Sequence, residues 1–234
     1  MKRAQAIIKA PALDLWQGMN RCLDHGNKGL VLMLVGLGFG WWLYVPVHEL
    51  LHVLGCVITG GEVRELQVDA AYGGVLLAKI FDFVVVGSKY AGQLTDFDRE
   101  PDLSYLSTVM MPFALTIFPG VWYLRKSGED GKPFLFGMML PVALAPFISI
   151  TGDAYETGSI IATTRFGPWS SPEMREILRG DDLVLFAKKV AAASPSPWGG
   201  WLLSSLLGVL WAFGTYALGA WIGNRLKAAG QGTS

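Results

Sequence analysis

Residues 29–59 read GLVLMLVGLGFGWWLYVPVHELLHVLGCVIT and contain one acidic residue, Glu49, and neither lysine nor arginine. A helix rises about 1.5 Å per residue, so roughly 20 apolar residues cross a hydrocarbon core of about 30 Å. Residues 104–124 and 198–222 also lack charge, and residues 134–163 contain only Asp153 and Glu156. These runs predict membrane-spanning helices.

Composition supports the same fold class. Hydrophobic residues make up 52% of the chain and charged residues only 16%, against about 25% charged in soluble domains. We therefore predict an α-helical multi-pass membrane protein with about four transmembrane helices, forming a single membrane-embedded domain. The expected spans are residues 28–59, 104–124, 134–163 and 198–226. Pro46 predicts a kink or a restart in the first span.

The segments between the spans are expected to be short elements. Residues 1–27 read as an interfacial N-terminal segment, and residues 171–192 as surface helices with Ser171 as the N-cap. Residues 62–86 are β-rich: alternating side chains, a turn at Gly73–Gly74 and the run Val84–Val86 predict a small β-hairpin or sheet. The acidic stretch TDFDREPD that follows is expected to be a solvated loop.

Charge and cysteine usage exclude some classes. The 19 basic and 19 acidic residues cancel, so no field of one sign favours nucleic acid, which we do not expect as a partner. Cys22 and Cys56 lie 34 positions apart and are expected to be ordinary packing thiols.

The segment VPVHELLHVLG carries an H-E-x-x-H motif, formed by His48, Glu49 and His52. Residues i and i+4 share one helix face, so both imidazoles can reach one tetrahedral Zn²⁺. Such motifs place the glutamate where it takes a proton from the water that the metal activates. An ionisable cluster inside a membrane is costly, about 2.5–3.5 kcal/mol for one charged residue at mid-membrane, which disfavours a merely structural interpretation.

The third ligand is expected in the third span. Counted from the first apolar residue of each span, His48 and Asp153 both lie 19 steps in, whereas Glu156 at 22 steps matches His52 at 23. Both acids are therefore plausible partners. Asp153 is the favoured third ligand, because its depth matches that of His48 and Gly152 lets a neighbouring helix approach closely, and Glu156 is its rival. The metzincin extension is absent, because Ile58 occupies the position of the third histidine. His25, the only other histidine, precedes the span.

The H-E-L-L-H motif in an apolar helix, followed by TGGEVRELQVDAAYGG and by an aspartate in a later span, resembles the site-2 protease family of intramembrane zinc metalloproteases. The resemblance is strongest over residues 46–76 and weaker over 134–163. It implies a zinc ion held by His48, His52 and an aspartate, with Glu49 as general base. In that family a glycine commonly follows the aspartate, whereas here Gly152 precedes Asp153.

The expected function is hydrolysis of peptide bonds in a membrane protein substrate, within the lipid bilayer, by a multi-pass protein of the bacterial plasma membrane. A transmembrane substrate must unwind before its carbonyls can be attacked, and residues 62–76 could hold the extended segment by strand addition. Two alternatives stay open. One is a non-enzymatic scaffold or regulator that retains a zinc site, and the other is an aspartyl protease that uses Asp82 and Asp153.

Overall fold

Helices form most of the protein, and a small three-stranded sheet follows the first long apolar helix. The computed structural model describes residues 2–180 and 196–231. The helices are α1 (Lys2–Leu23), α2 (Gly26–Val57), α3 (Gly74–Leu77), α4 (Asp102–Met110), α5 (Phe113–Leu115), α6 (Val121–Glu129), α7 (Pro133–Ala143), α8 (Ala145–Ile148), α9 (Asp153–Arg165), α10 (Pro172–Leu178) and α11 (Trp198–Gln231). The strands are β1 (Val63–Val68), β2 (Val84–Val86) and β3 (Gly92–Phe97).

Two of the described helices are long and apolar enough to cross a membrane. They are α2 and the Trp198–Ala229 part of α11. A third crossing is obtained if α4 is taken together with Phe113–Glu129 as one broken span. The chain is therefore consistent with a membrane protein, and four spans are not confirmed.

The two middle runs differ from the continuous spans expected for them. The run 104–124 is interrupted at Phe118, whose φ of −153° and ψ of 128° are extended, and Pro119 follows it. The run 134–163 divides into α7, α8 and α9, with non-helical residues 149–152 before Asp153. By contrast, α2 continues through Pro46, so the predicted restart there does not occur.

The chain divides into two compact units. The first contains α1, α2 as far as Tyr44, α5, α6, α7 and α11 from Phe213 onward. The second contains the rest of α2 from Val45, the sheet, α4, α9, α10 and α11 up to Ala212. Each long apolar helix thus contributes to both units.

A polar cluster around Asp14 joins three helices of the first unit. Its carboxylate lies 3.3 Å from Arg125 Nε and accepts a 2.9 Å hydrogen bond from the Tyr216 hydroxyl. Arg125 also donates to the Asn224 side chain at 3.0 Å. Burial raises the pKa of Asp14, and the nearby Arg125 cation opposes this effect. The cluster therefore ties α1 to α6 and α11 through groups that satisfy one another.

The sheet of the second unit has the strand order β2-β1-β3, so β1 is its central strand. β1 pairs parallel with β2 and antiparallel with β3. The prediction of β structure in 62–86 is confirmed, but the extended segment ends at Val68 and not at residue 76. Residues 70–72 form a 3₁₀ turn, and Gly73, with φ of 83°, leads into α3.

Strand β3 lies in a region that the sequence analysis assigned to a loop. The stretch TDFDREPD begins inside β3, because residues 95–97 belong to the strand. Arg64 of β1 lies 2.8 Å from Asp96 and 2.7 Å from Asp98, which lets this acidic strand pair with β1. The Arg64 hydrogen bond also lowers the pKa of Asp98.

One face of the sheet packs on the C-terminal half of α2. Val53 of α2 lies in a buried cluster with Leu66, Val68 and Val84 of the sheet. Leu94 of β3 packs on the same cluster. This apolar contact fixes the position of β3 relative to the H-E-x-x-H turn of α2.

Helix α9 packs closely on both α4 and α11. Tyr105 and Val109 of α4 form a buried cluster with Ile160 of α9. At Gly158 of α9, an added Cβ would clash with the Ser204 backbone carbonyl of α11, and at Gly208 it would lie 2.5 Å from the Ala154 carbonyl oxygen. Two glycines thus allow α9 and α11 to touch backbone to backbone.

The first of the predicted surface helices is confirmed as α10. Ser171 is its N-cap, and its side chain accepts a hydrogen bond from the Met174 backbone N–H. The second part of the expected segment, residues 181–192, lies outside the described residues.

The α9–α11 contact generates a first prediction. Gly158→Ala must push these helices apart, because the added methyl group meets backbone atoms that cannot rotate away. We expect it to cost about 1–3 kcal/mol of stability and to lower the midpoint of thermal unfolding in detergent. Gly214→Ala in α11, where a Cβ would have open space, is the control and should not lower the midpoint, because alanine is the better helix former. Equal midpoints for both variants would contradict the packing account.

Candidate metal centre

His48 and His52 lie one turn apart on α2, with their side chains on the same face. Their ring centroids are 4.7 Å apart and the rings are nearly perpendicular. The His52 residue is 8% exposed, and the His48 side chain is 14% exposed. The sequence pattern predicted this juxtaposition from helical spacing alone.

Asp153 reaches the same place from the start of α9. Residues 149–152 are not helical, and Asp153 is the first residue of α9. Its carboxylate therefore comes from a helix terminus and not from the middle of a continuous span. His48 and Asp153, which the depth count paired, do lie close together, although the count assumed an unbroken helix.

The ligand atoms of these residues have the spacing of a metal site. His48 Nε2 lies 3.0 Å from His52 Nε2 and 3.1 Å from Asp153 Oδ2. His52 Nε2 lies 3.7 Å from Asp153 Oδ1. A tetrahedral zinc ion with bonds of about 2.0–2.1 Å separates its ligand atoms by about 3.3 Å. His48, His52 and Asp153 could therefore hold a metal ion.

A hydrogen bond fixes the orientation of the second imidazole. His52 Nδ1 lies 2.9 Å from the backbone carbonyl oxygen of Thr108 in α4. Because a carbonyl only accepts, Nδ1 must carry the proton, and the Nε2 of the neutral ring keeps its lone pair for a metal. A backbone carbonyl in this role is common around metal-bound histidines.

Glu49 lines a cavity of about 380 Å³ together with His48, His52 and Asp153. The residue is 8% exposed. Residues 92–95 and Phe97 of β3 form another part of the lining. The cavity thus brings together the two motif histidines, the glutamate between them, an aspartate and one strand of the sheet.

The rival and alternative residues occupy other positions. Glu156 lines the cavity but accepts a hydrogen bond from the Tyr105 hydroxyl, and it does not belong to the group of ligand atoms. His25 Nε2 lies 3.0 Å from the Gly131 carbonyl oxygen. Asp82 is exposed and does not line the cavity, so an Asp82–Asp153 catalytic pair has no support.

β3 and α4 also contribute to the site, and the sequence did not predict these contributions. A Cβ built at Gly92 would lie 2.5 Å from Glu49 Cγ, and the only signal in the sequence was the glycine itself, which in a strand often marks a close backbone approach. Thr108 contributes a backbone carbonyl, for which a sequence offers no signal. Tyr105 is buried and binds Glu156, a pairing that depends on how α4 meets α9.

Comparisons of the chain with protein-family models, with curated proteins and with solved structures found no match in any of the three.

The geometry predicts different roles for the two acidic residues of α9. Asp153→Ala removes one of the three residues that could hold a metal ion, so this variant should purify nearly free of zinc. Glu156→Ala should keep close to one zinc per chain at saturating metal, with affinity reduced by about 10- to 100-fold at most. Metal analysis of both purified variants checks this. Zinc-replete Asp153→Ala beside zinc-free Glu156→Ala would reverse the assignment.

Proposed function

We propose that the protein is an intramembrane zinc metalloprotease of the site-2 type, which hydrolyses peptide bonds of membrane protein substrates. The observation that carries the proposal is the spacing of 3.0 to 3.7 Å among His48 Nε2, His52 Nε2 and the Asp153 carboxylate, with Glu49 in the same cavity. The resemblance of the motif region to that family supports it. Two candidate spans support a multi-pass location, and a bacterial plasma membrane stays a prediction.

In this proposal His48, His52 and Asp153 hold the ion. A bound zinc ion supplies a Lewis acid that polarises the scissile carbonyl and makes a water molecule more acidic. The hydrogen bond from His52 Nδ1 to the Thr108 carbonyl would leave the Nε2 lone pair available to a bound ion. The side chains of the three ligand residues are only 10–18% exposed, and such low exposure would limit competing hydration and strengthen their interactions with an ion.

Glu49 acts as the proton carrier. Its carboxylate accepts a proton from the attacking water and then delivers that proton to the leaving amine. Glu49 can take this role without being a ligand, because His48, His52 and Asp153 already provide three ligand atoms. A purely structural zinc site has no need of such a base, which disfavours the scaffold alternative.

The strand order favours β3, and not β1, as the strand with which a substrate segment would pair. β1 has a partner on each side, so residues 62–68 cannot accept another strand. β3 lies at an edge of the sheet among the described residues and lines the cavity. An unwound substrate segment added to β3 would therefore run past Glu49 and the ligand group.

The pairing pattern identifies the backbone groups that would bind substrate. The Leu66 N–H bonds to Phe83 on the β2 side, so the polar groups of Leu66 point away from β3. Leu94 of β3 is the partner of Leu66, and the two therefore form a non-hydrogen-bonded pair. The N–H and C=O of Leu94 then point to the open edge of the sheet. Gly92 lies two residues earlier in the same strand, so its N–H and C=O point to the open edge as well.

The proposal predicts the behaviour of Glu49→Gln. The amide cannot accept the proton of water, so cleavage of a transmembrane reporter library in liposomes should fall by about 10²- to 10⁴-fold. Zinc should stay near one per chain. Glu62→Gln makes the same charge change on an exposed side chain and should cleave like the wild type. Undiminished cleavage by Glu49→Gln would reject the general-base role, and zinc without cleavage by the wild type would favour a scaffold.

Strand addition at β3 predicts a second result. Leu94→Pro deletes an outward N–H without removing a bond to β1, so cleavage should fall while zinc content holds. Leu94→Ala is the matched control, because it loses the same packing on the α2–sheet cluster but keeps the N–H. If Leu94→Pro and Leu94→Ala cleave equally well, the substrate does not bind through this edge.

A further inference from the structure

Gly92, the first residue of β3, lies directly against the side chain of Glu49. A Cβ atom built at Gly92 would be 2.5 Å from Glu49 Cγ, 2.9 Å from Cδ and 3.1 Å from Oε1. Non-bonded carbon atoms pack at about 3.5–4.0 Å. No side chain fits at position 92 while Glu49 keeps its present conformation.

The backbones on both sides of this contact are fixed. β3 pairs with β1 on one side, and Leu50 and Val53 of α2 pack on the sheet. All three of the nearest atoms belong to the Glu49 side chain, which can rotate. A methyl group at position 92 should therefore displace the Glu49 carboxylate and leave the fold intact.

Gly92 differs in this respect from the glycines at helix contacts in the same unit. Added Cβ atoms at Gly55, Gly158 and Gly208 would meet backbone carbonyls first, so those glycines serve close packing of the chain. At Gly92 the neighbour is the carboxylate side chain of the metal motif. The lack of a side chain at position 92 thus leaves room for the Glu49 side chain, and it does not serve a contact between two backbones.

We infer that Gly92 is a positioning residue for Glu49, because the bare backbone of β3 sets the location from which the carboxylate takes its proton. This inference rests on the proposed role of Glu49 as general base. It predicts that Gly92→Ala impairs proton transfer, while the ligands His48, His52 and Asp153 still bind metal.

Acetohydroxamic acid is a suitable probe, because it gives up a proton when it binds a metal and a neighbouring carboxylate can accept that proton. The experiment compares wild type, Gly92→Ala, Glu49→Gln and the double variant as full-length zinc-loaded proteins in detergent. Zinc content and the dissociation constant of acetohydroxamate are measured for each. Gly167→Ala is the control, since a Cβ there has open space.

The expected result is one zinc per chain in all five proteins. Glu49→Gln should weaken acetohydroxamate binding by about 10- to 100-fold, the effect of losing one hydrogen bond to a charged group. Gly92→Ala should weaken it by a similar factor, and the double variant should be no weaker than Glu49→Gln alone, because the two changes act through one group. In cleavage assays Gly92→Ala should lower kcat by about 100-fold with KM nearly unchanged.

Two results overturn the inference alone. One is wild-type binding by Gly92→Ala while Glu49→Gln binds weakly. The other is a double variant that multiplies the two single effects, which would show that the methyl group blocks the probe sterically. Wild-type binding by Glu49→Gln, or no binding by the zinc-loaded wild type, rejects the proposed function itself and the inference with it.

Discussion

His48, His52 and Asp153 converge on one point, with ligand atoms 3.0 to 3.7 Å apart, and the rest of the second unit is organised around this convergence. Two imidazoles and a carboxylate are costly to bury in an apolar helix bundle unless they satisfy one another or a cation. A metal ion of charge +2 would satisfy all three at once. The arrangement is therefore most easily explained as a cation site.

Three separate contacts maintain the convergence. The sheet packs on Val53 of α2, which directly follows His52 in the sequence, and so fixes the helix that carries both histidines. The Thr108 carbonyl of α4 orients His52. Close contact at Gly158 and Gly208 places the start of α9, and with it Asp153, against its partner helix α11. A change at any of these contacts should move His48, His52 or Asp153.

The site was more predictable from sequence than the course of the chain. Helical spacing paired His48 with His52, and intramembrane acidity singled out Asp153 and Glu156, because both arguments need only local geometry and the cost of burying charge. Hydropathy could not reveal the breaks near Phe118 and at residues 149–152, since an apolar run reads the same whether its helix continues or stops. Prolines in these runs were the only signal of the interruptions.

Strand β3 was missed for a different reason. Its acidic residues suggested a solvated loop, but the Asp96 side chain is exposed within the strand and pairs there with Arg64 of β1. Cross-strand pairing is a tertiary property that one sequence does not encode locally. The position of β3 beside Glu49 could be recognised only from the strand order of the sheet.

Zinc K-edge X-ray absorption of the purified full-length protein tests the central claim most directly. The account predicts four-coordinate zinc with only nitrogen and oxygen ligands at about 2.0 Å, and the multiple scattering of two imidazoles. Zinc with a sulfur ligand at about 2.3 Å, or with no imidazole scattering, would contradict the assignment of His48, His52 and Asp153 as the metal ligands.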